Sequence, residues 1–95
     1  MAPEPATVAF AVTGPIERAD LPGLRRRVGA LLERTKPDVA VCDVEGVEPS
    51  AVTVDALCRL QVAAKRHGCQ IRLRNASDEL RDLVAFMGLC EVLPE

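Results

Sequence analysis

The sequence predicts an α/β fold, a small, largely parallel four-stranded sheet with three helices. Three observations carry this. The spacing of apolar residues switches repeatedly between a period of two, proper to strands, and one of about 3.6, proper to helices. The two kinds of segment alternate, and strands joined in sequence through helices form parallel pairs with right-handed crossovers. The 95 residues are 48% hydrophobic and 27% charged, with a net charge of −2. That composition argues against disorder, and a chain of this size buries enough apolar surface to fold without disulfide or metal staples. There is no Trp or Tyr, and the aromatic residues are Phe10 and Phe86, so the interior has to be built from Val, Leu, Ala and Ile.

The elements follow in order. Met1–Ala6, with Pro3 and Pro5, reads as a disordered lead-in, and residues 7–95 as one domain. Thr7–Thr13 alternates, with Val8, Phe10 and Val12 on one face, which is a strand pattern closed by Gly14-Pro15. Asp20 is placed to cap a first helix, with Pro22 early in its first turn, where a missing N–H costs little. Leu21, Leu24, Val28 and Leu31 give that helix an apolar face, and Pro37 stops it. Val39–Val44 is short, β-rich and mostly apolar, as expected of a central strand covered on both faces. A second helix starts within Ser50–Thr53 and runs to His67, with Leu57, Leu60 and Ala64 inward and Val54 and Ala63 flanking. Gly68 supplies the left-handed residue after it, and Lys65, Arg66 and His67 suit the negative end of its dipole. In Gln70–Arg74, Ile71 and Leu73 face in while Arg72 and Arg74 face out. Ser77 caps a third helix, with Leu80, Leu83, Val84 and Met87 inward and Gly88 at its end. Val92-Leu93 reads as a last short strand.

Several function classes are excluded or disfavoured. No run approaches 18 apolar residues, and the start has neither a basic nor an apolar signal region; the expectation is a cytoplasmic protein with no membrane insertion. The cysteines at 42, 58, 69 and 90 are separated by 16, 11 and 21 residues. They form no C-x-x-C pair and read as reduced thiols, and with a single histidine, His67, they make no zinc set. Arg25-Arg26-Arg27 reads as a solvated helix face, and without interleaved aromatics it does not indicate nucleic acid. Asp43 and Glu45 lack the nucleophile or histidine of a catalytic set. No glycine-rich phosphate loop is present, and no metal or cofactor is expected. The expectation is a binding module, not an enzyme.

Ligands of α/β folds bind where strands end and helices begin, so the turn after the second strand is the place to look. Ser50 and Thr53 lie there beside a helix N-terminus. Each hydroxyl has a structural reading as an N-cap, which stabilises a helix by about 1 kcal/mol, and a regulatory reading as a phospho-acceptor.

Thr13-Gly14-Pro15-Ile16, Asp20-Leu21-Pro22, Asp43-Val44-Glu45-Gly46-Val47, Lys65-Arg66-His67-Gly68 and Ile71-Arg72-Leu73, in this order and spacing, resemble the STAS domain of sulfate transporters and anti-sigma factor antagonists. The similarity extends to Met87-Gly88-Leu89 and Val92-Leu93-Pro94. It implies a sheet with packed helices and a docking function. In anti-sigma antagonists a serine at the start of the second helix, within Asp-Ser-Ser-Gly or Asp-Ser-Thr-Gly, is phosphorylated by a kinase-like anti-sigma partner. Here the motif is altered. Counting back from Gly68 places Ser50, Ala51 and Val52 at its first three positions; counting forward from Asp43 places its second hydroxyl on Thr53. The resemblance thus implies Thr53, then Ser50, as phospho-acceptor candidates. The docking surface it points to comprises Pro49, Ser50, Val52, Thr53, Val54 and Asp55, with Arg59 beside it. The expected function is that of an anti-sigma antagonist-like regulator. The alternative is the STAS accessory subunit of a phospholipid ABC transporter, which binds the ATPase subunit and uses a hydroxyl near the helix start; the corresponding residue here is Ala51.

Overall fold

The computed structural model describes residues 6–95. Strand β1 (Thr7–Ala11) leads through a 3-10 turn (Arg18–Asp20) into helix α1 (Leu21–Thr35). Strand β2 (Val39–Asp43), helix α2 (Ala51–Arg66), strand β3 (Gln70–Arg74) and helix α3 (Asp78–Phe86) follow. The expected lead-in lies outside the described residues except for Ala6. Its N–H donates to the Asp38 carboxylate, and its carbonyl accepts from the N–H groups of Asp38 and Val39.

Among the described residues the sheet has three strands in the order β1-β2-β3, all parallel, with Val8 opposite Ala40 and Ala40 opposite Ile71. Two right-handed crossovers stepping in one direction put their helices on one face. Ala40 and Cys42 of β2 and Ile71 and Leu73 of β3 are buried there in one core with Leu32, Leu57, Leu60 and Leu80. The expectation that β2 is covered on both faces is corrected. Val39, Val41 and Asp43 point to the other face and are half-buried, beside exposed Ala9, Ala11, Arg72 and Arg74. An unbroken apolar run in β2 hides this, because Val and Ala are tolerated on either face.

The expected strand at Val92-Leu93 is not formed. Val92 and Leu93 lie in a turn, both N–H groups donating to the Leu89 carbonyl at 3.0 Å. The outer edge of β3 is nonetheless occupied. The Ile71 N–H donates to Gln61 Oε1 at 2.7 Å, and Gln61 Nε2 donates to the Ile71 carbonyl at 2.9 Å. The Leu73 N–H donates to the Pro94 carbonyl at 2.8 Å. A side-chain amide and one tail carbonyl thus stand in for a neighbouring strand. Gln61, 2% exposed, also donates to the Val92 carbonyl at 2.9 Å, which ties the C-terminal segment to the core.

Two details of α1 differ from expectation. Asp20 does not cap the helix; its carboxylate accepts the Glu17 N–H at 2.9 Å, because the chain is already turning helically at Asp20 (φ −78°, ψ −19°). The inner row is Leu24, Val28 and Leu32, with Leu31 only half-buried, since a spacing of four keeps one line on the helix face. Ser77 caps α3 as expected, accepting the Leu80 N–H at 3.1 Å. Met87 falls after the last helical turn and is exposed.

Candidate functional site

The loop between β2 and α2 is held against the end of β1. The Gly14 N–H donates to the Gly46 carbonyl at 2.8 Å, and Gly14 bridges Val47 in parallel. Gly14 has φ +74°, a conformation glycine adopts without steric cost. At Gly46 a Cβ would sit 3.3 Å from Thr13 Cγ2, a tight contact. Asp43 secures the other side of the loop. Its carboxylate accepts the Glu45 N–H at 3.0 Å and an Asn75 amide hydrogen at 3.2 Å, with Arg74 at 3.6 Å. The Glu45 hydrogen bond, helped by Asn75 and Arg74, holds its carboxyl below the usual value against the opposing effect of burial. Asp43 thus joins two loops at one end of the sheet, and its oxygens are engaged in holding the backbone.

This frame sets the start of α2. Ser50 is the N-cap (φ −149°, ψ 161°), and its Oγ accepts the Thr53 N–H at 3.1 Å. The Ser50 hydroxyl lies 3.1 Å from Thr53 Oγ1, and the Thr53 hydroxyl donates to the Glu48 carbonyl at 2.7 Å. Thr53 is 0% exposed, as is Val54. The residues expected to form one docking surface therefore separate. Thr53 and Val54 pack inward. Pro49, Ser50 and Val52 are half-buried, and Asp55 and Arg59 are exposed and paired at 2.9 Å. Ala51, left out of the expected surface, is exposed on the first turn. The Thr53 hydroxyl is satisfied inside the fold, so Ser50 carries the hydroxyl within reach of a partner.

The thiols are free: Cys42 and Cys69 are buried, Cys58 is half-buried and Cys90 is exposed. Burial, reinforced by the neighbouring Asp43 charge, pushes the Cys42 thiol up to about 12. Among the described residues no group of three His, Cys, Asp or Glu side chains is placed to hold a metal ion, and no helix is long and apolar enough to cross a membrane.

A family model described as "Mlab, STAS domain" matches residues 2–94. The chain belongs to the STAS domain family. Among solved structures, this STAS chain is similar to a sulfate transporter family protein from Wolinella succinogenes, with a TM-score of 0.66 and 23% identity. The match covers 92% of this chain and 70% of that one, and at this identity it speaks to the fold. Comparison with curated proteins finds no match. The STAS assignment accounts for the order of elements. Gln61 did not stand out in the sequence, because a lone glutamine among helix positions carries no recognisable signal; Ala51 was placed at a motif position but, lacking a hydroxyl, was left out of the expected surface.

Proposed function

We propose that this chain is a non-enzymatic docking subunit that acts in the cytoplasm and engages a partner protein through the first turns of α2. The partner in this reading is the ATPase subunit of a phospholipid ABC transporter. The observation that carries it is the α2 start itself: Ala51 and Asp55 exposed, Ser50 and Val52 half-exposed, on a loop fixed by Gly14, Gly46 and Asp43. A rigidly held helix start loses little freedom on binding, which favours a stable contact from few side chains. Membership of the STAS family supports a docking role. In the test, the chain is co-expressed with an ABC ATPase and the complex is isolated. Ala51→Arg and Val52→Asp are expected to lower recovery by an order of magnitude or more, while Glu79→Ala, exposed on α3, leaves it unchanged. Equal recovery of all three variants refutes the surface.

A second reading, an anti-sigma antagonist controlled by a kinase-like anti-sigma partner, is favoured by one observation: the half-exposed Ser50 hydroxyl sits at the N-terminus of α2, where a phosphate would meet unpaired N–H groups and the positive end of the dipole. Phosphate transfer from the partner kinase that Ser50→Ala abolishes supports this reading. Transfer that Thr53→Val abolishes and Ser50→Ala spares would require α2 to open at its first turn.

A further inference from the structure

The surface between α1 and α2 differs in charge from the rest of the molecule. Two shallow hollows of about 300 and 440 Å³ adjoin there and share Pro22 and Arg25. Arg18, Arg25 and Arg59 line the first, and Arg25, Arg26 and Arg66 the second. All five arginines are exposed. Among the described residues the only carboxylate lining either hollow is Asp55, paired with Arg59. Arg18, Arg25, Arg26 and Arg66 make no ion pair among the described residues. Five arginines against one aspartate make this strip +4, so the rest of a chain of net charge −2 carries −6.

Spacing and floor describe what fits. Arg59 and Arg66 are seven residues apart on α2, two turns or about 10 Å along one face. Across the groove Arg18 stands on the 3-10 turn before α1, and Arg25 and Arg26 on the early part of α1. Between the rows the floor is small, with half-buried Gly29 and Ala63, which lets a third helix approach closely. The exposed large apolar side chains, Val62, Phe86 and Met87, line neither hollow, so nothing there would enter a bilayer. The acidic remainder opposes a long polyanion but not a short acidic segment confined to the strip.

We infer that the α1–α2 groove receives an acidic helix of a partner protein, its carboxylates repeating every seven residues opposite Arg59/Arg66, with Arg18, Arg25 and Arg26 along the facing edge. This rests on the docking reading above, shares Asp55 and Arg59 with that surface, and adds the chemistry of the partner.

The probe is a synthetic Ala-rich helical peptide of about 20 residues bearing Glu at i, i+3 and i+7, titrated into the labelled protein and followed by amide chemical shifts. The expected result is saturable shifts confined to α1 and α2. Binding should weaken about tenfold or more in Arg25→Glu/Arg66→Glu, fall steeply with salt, and vanish for the Gln-substituted peptide. Absence of shifts up to about 1 mM peptide, shifts located elsewhere, or equal binding by the double variant overturns the inference. So does tighter binding to phosphatidylglycerol vesicles or to duplex DNA. Ser50→Ala and Ala51→Arg should leave peptide binding intact. If they abolish capture of the ATPase while Arg25→Glu/Arg66→Glu does not, the docking surface stands and the acidic-helix inference fails.

Discussion

Replacing Gln61 by Leu tests how the sheet ends at β3. The substitution keeps the side chain's bulk and improves its hydrophobicity, so a simple burial argument predicts little harm. The hydrogen bonds predict otherwise. Gln61 accepts from the Ile71 N–H and donates to the carbonyls of Ile71 and Val92, at 2.7, 2.9 and 2.9 Å. Leucine would leave all three backbone groups without a protein partner. A buried unsatisfied group costs about 1–3 kcal/mol, and water reaching the strand edge would recover part of that. The net expectation is a loss of about 3–5 kcal/mol, against a total stability of about 5–14 kcal/mol for a chain of this length. Urea unfolding followed by circular dichroism measures it, with Val62→Ala on the exposed face of α2 as a control expected within about 0.5 kcal/mol. Gln61→Glu sharpens the test. Burial raises the pKa of such a carboxyl above its unfolded value, so its deficit should be smallest at low pH, where the protonated acid regains one donor, and should grow as pH rises through the folded value. A Gln61→Leu loss below about 1 kcal/mol would show that the β3 edge needs no surrogate strand.

Four further outcomes follow from the same geometry. Ser50→Ala should lower stability by about 1 kcal/mol through loss of the α2 cap, seen as a fall in Tm of about 4–8 °C; an unchanged Tm contradicts the cap. Asp43 should titrate below the ordinary carboxylate value, so the stability it lends is present above that value and lost as pH falls through the lowered one; a carbon-detected NMR titration with an ordinary or raised midpoint would be inconsistent with its bonds to Glu45 and Asn75. Iodoacetamide at pH 8 should label exposed Cys90 first and leave Cys42, buried with its thiol near 12, unmodified until the chain unfolds; mass spectrometry of the peptides decides this. Lys36→Gly should stabilise the protein by about 0.5–1 kcal/mol, since Lys36 holds φ 47° at the end of α1; a loss in urea midpoint would mean that the lysine side chain contributes more than its backbone costs.

Local sequence patterns were enough to establish the alternation of elements, most of their inner faces and the family. Those depend on local periodicity, on caps such as Ser77 and on glycines such as Gly68 (φ +71°), which are properties of neighbouring residues. Tertiary structure decided what depends on who stands opposite whom. The apolar run of β2 could not reveal that one face stays open, because that follows from both crossovers stepping the same way. The Val92-Leu93 pattern could not show that a buried glutamine 31 residues earlier would take part of the place of a fourth strand. At the candidate site the hydroxyls of Ser50 and Thr53 were legible as a pair, but their difference was not. Ser50, as the last extended residue, stays at the surface, while three residues on Thr53 has turned inward and its hydroxyl is satisfied by Glu48. A shift of a few residues at a helix start moves a side chain from partner to core, and only the register of the folded loop against Gly14 and Gly46 fixes it.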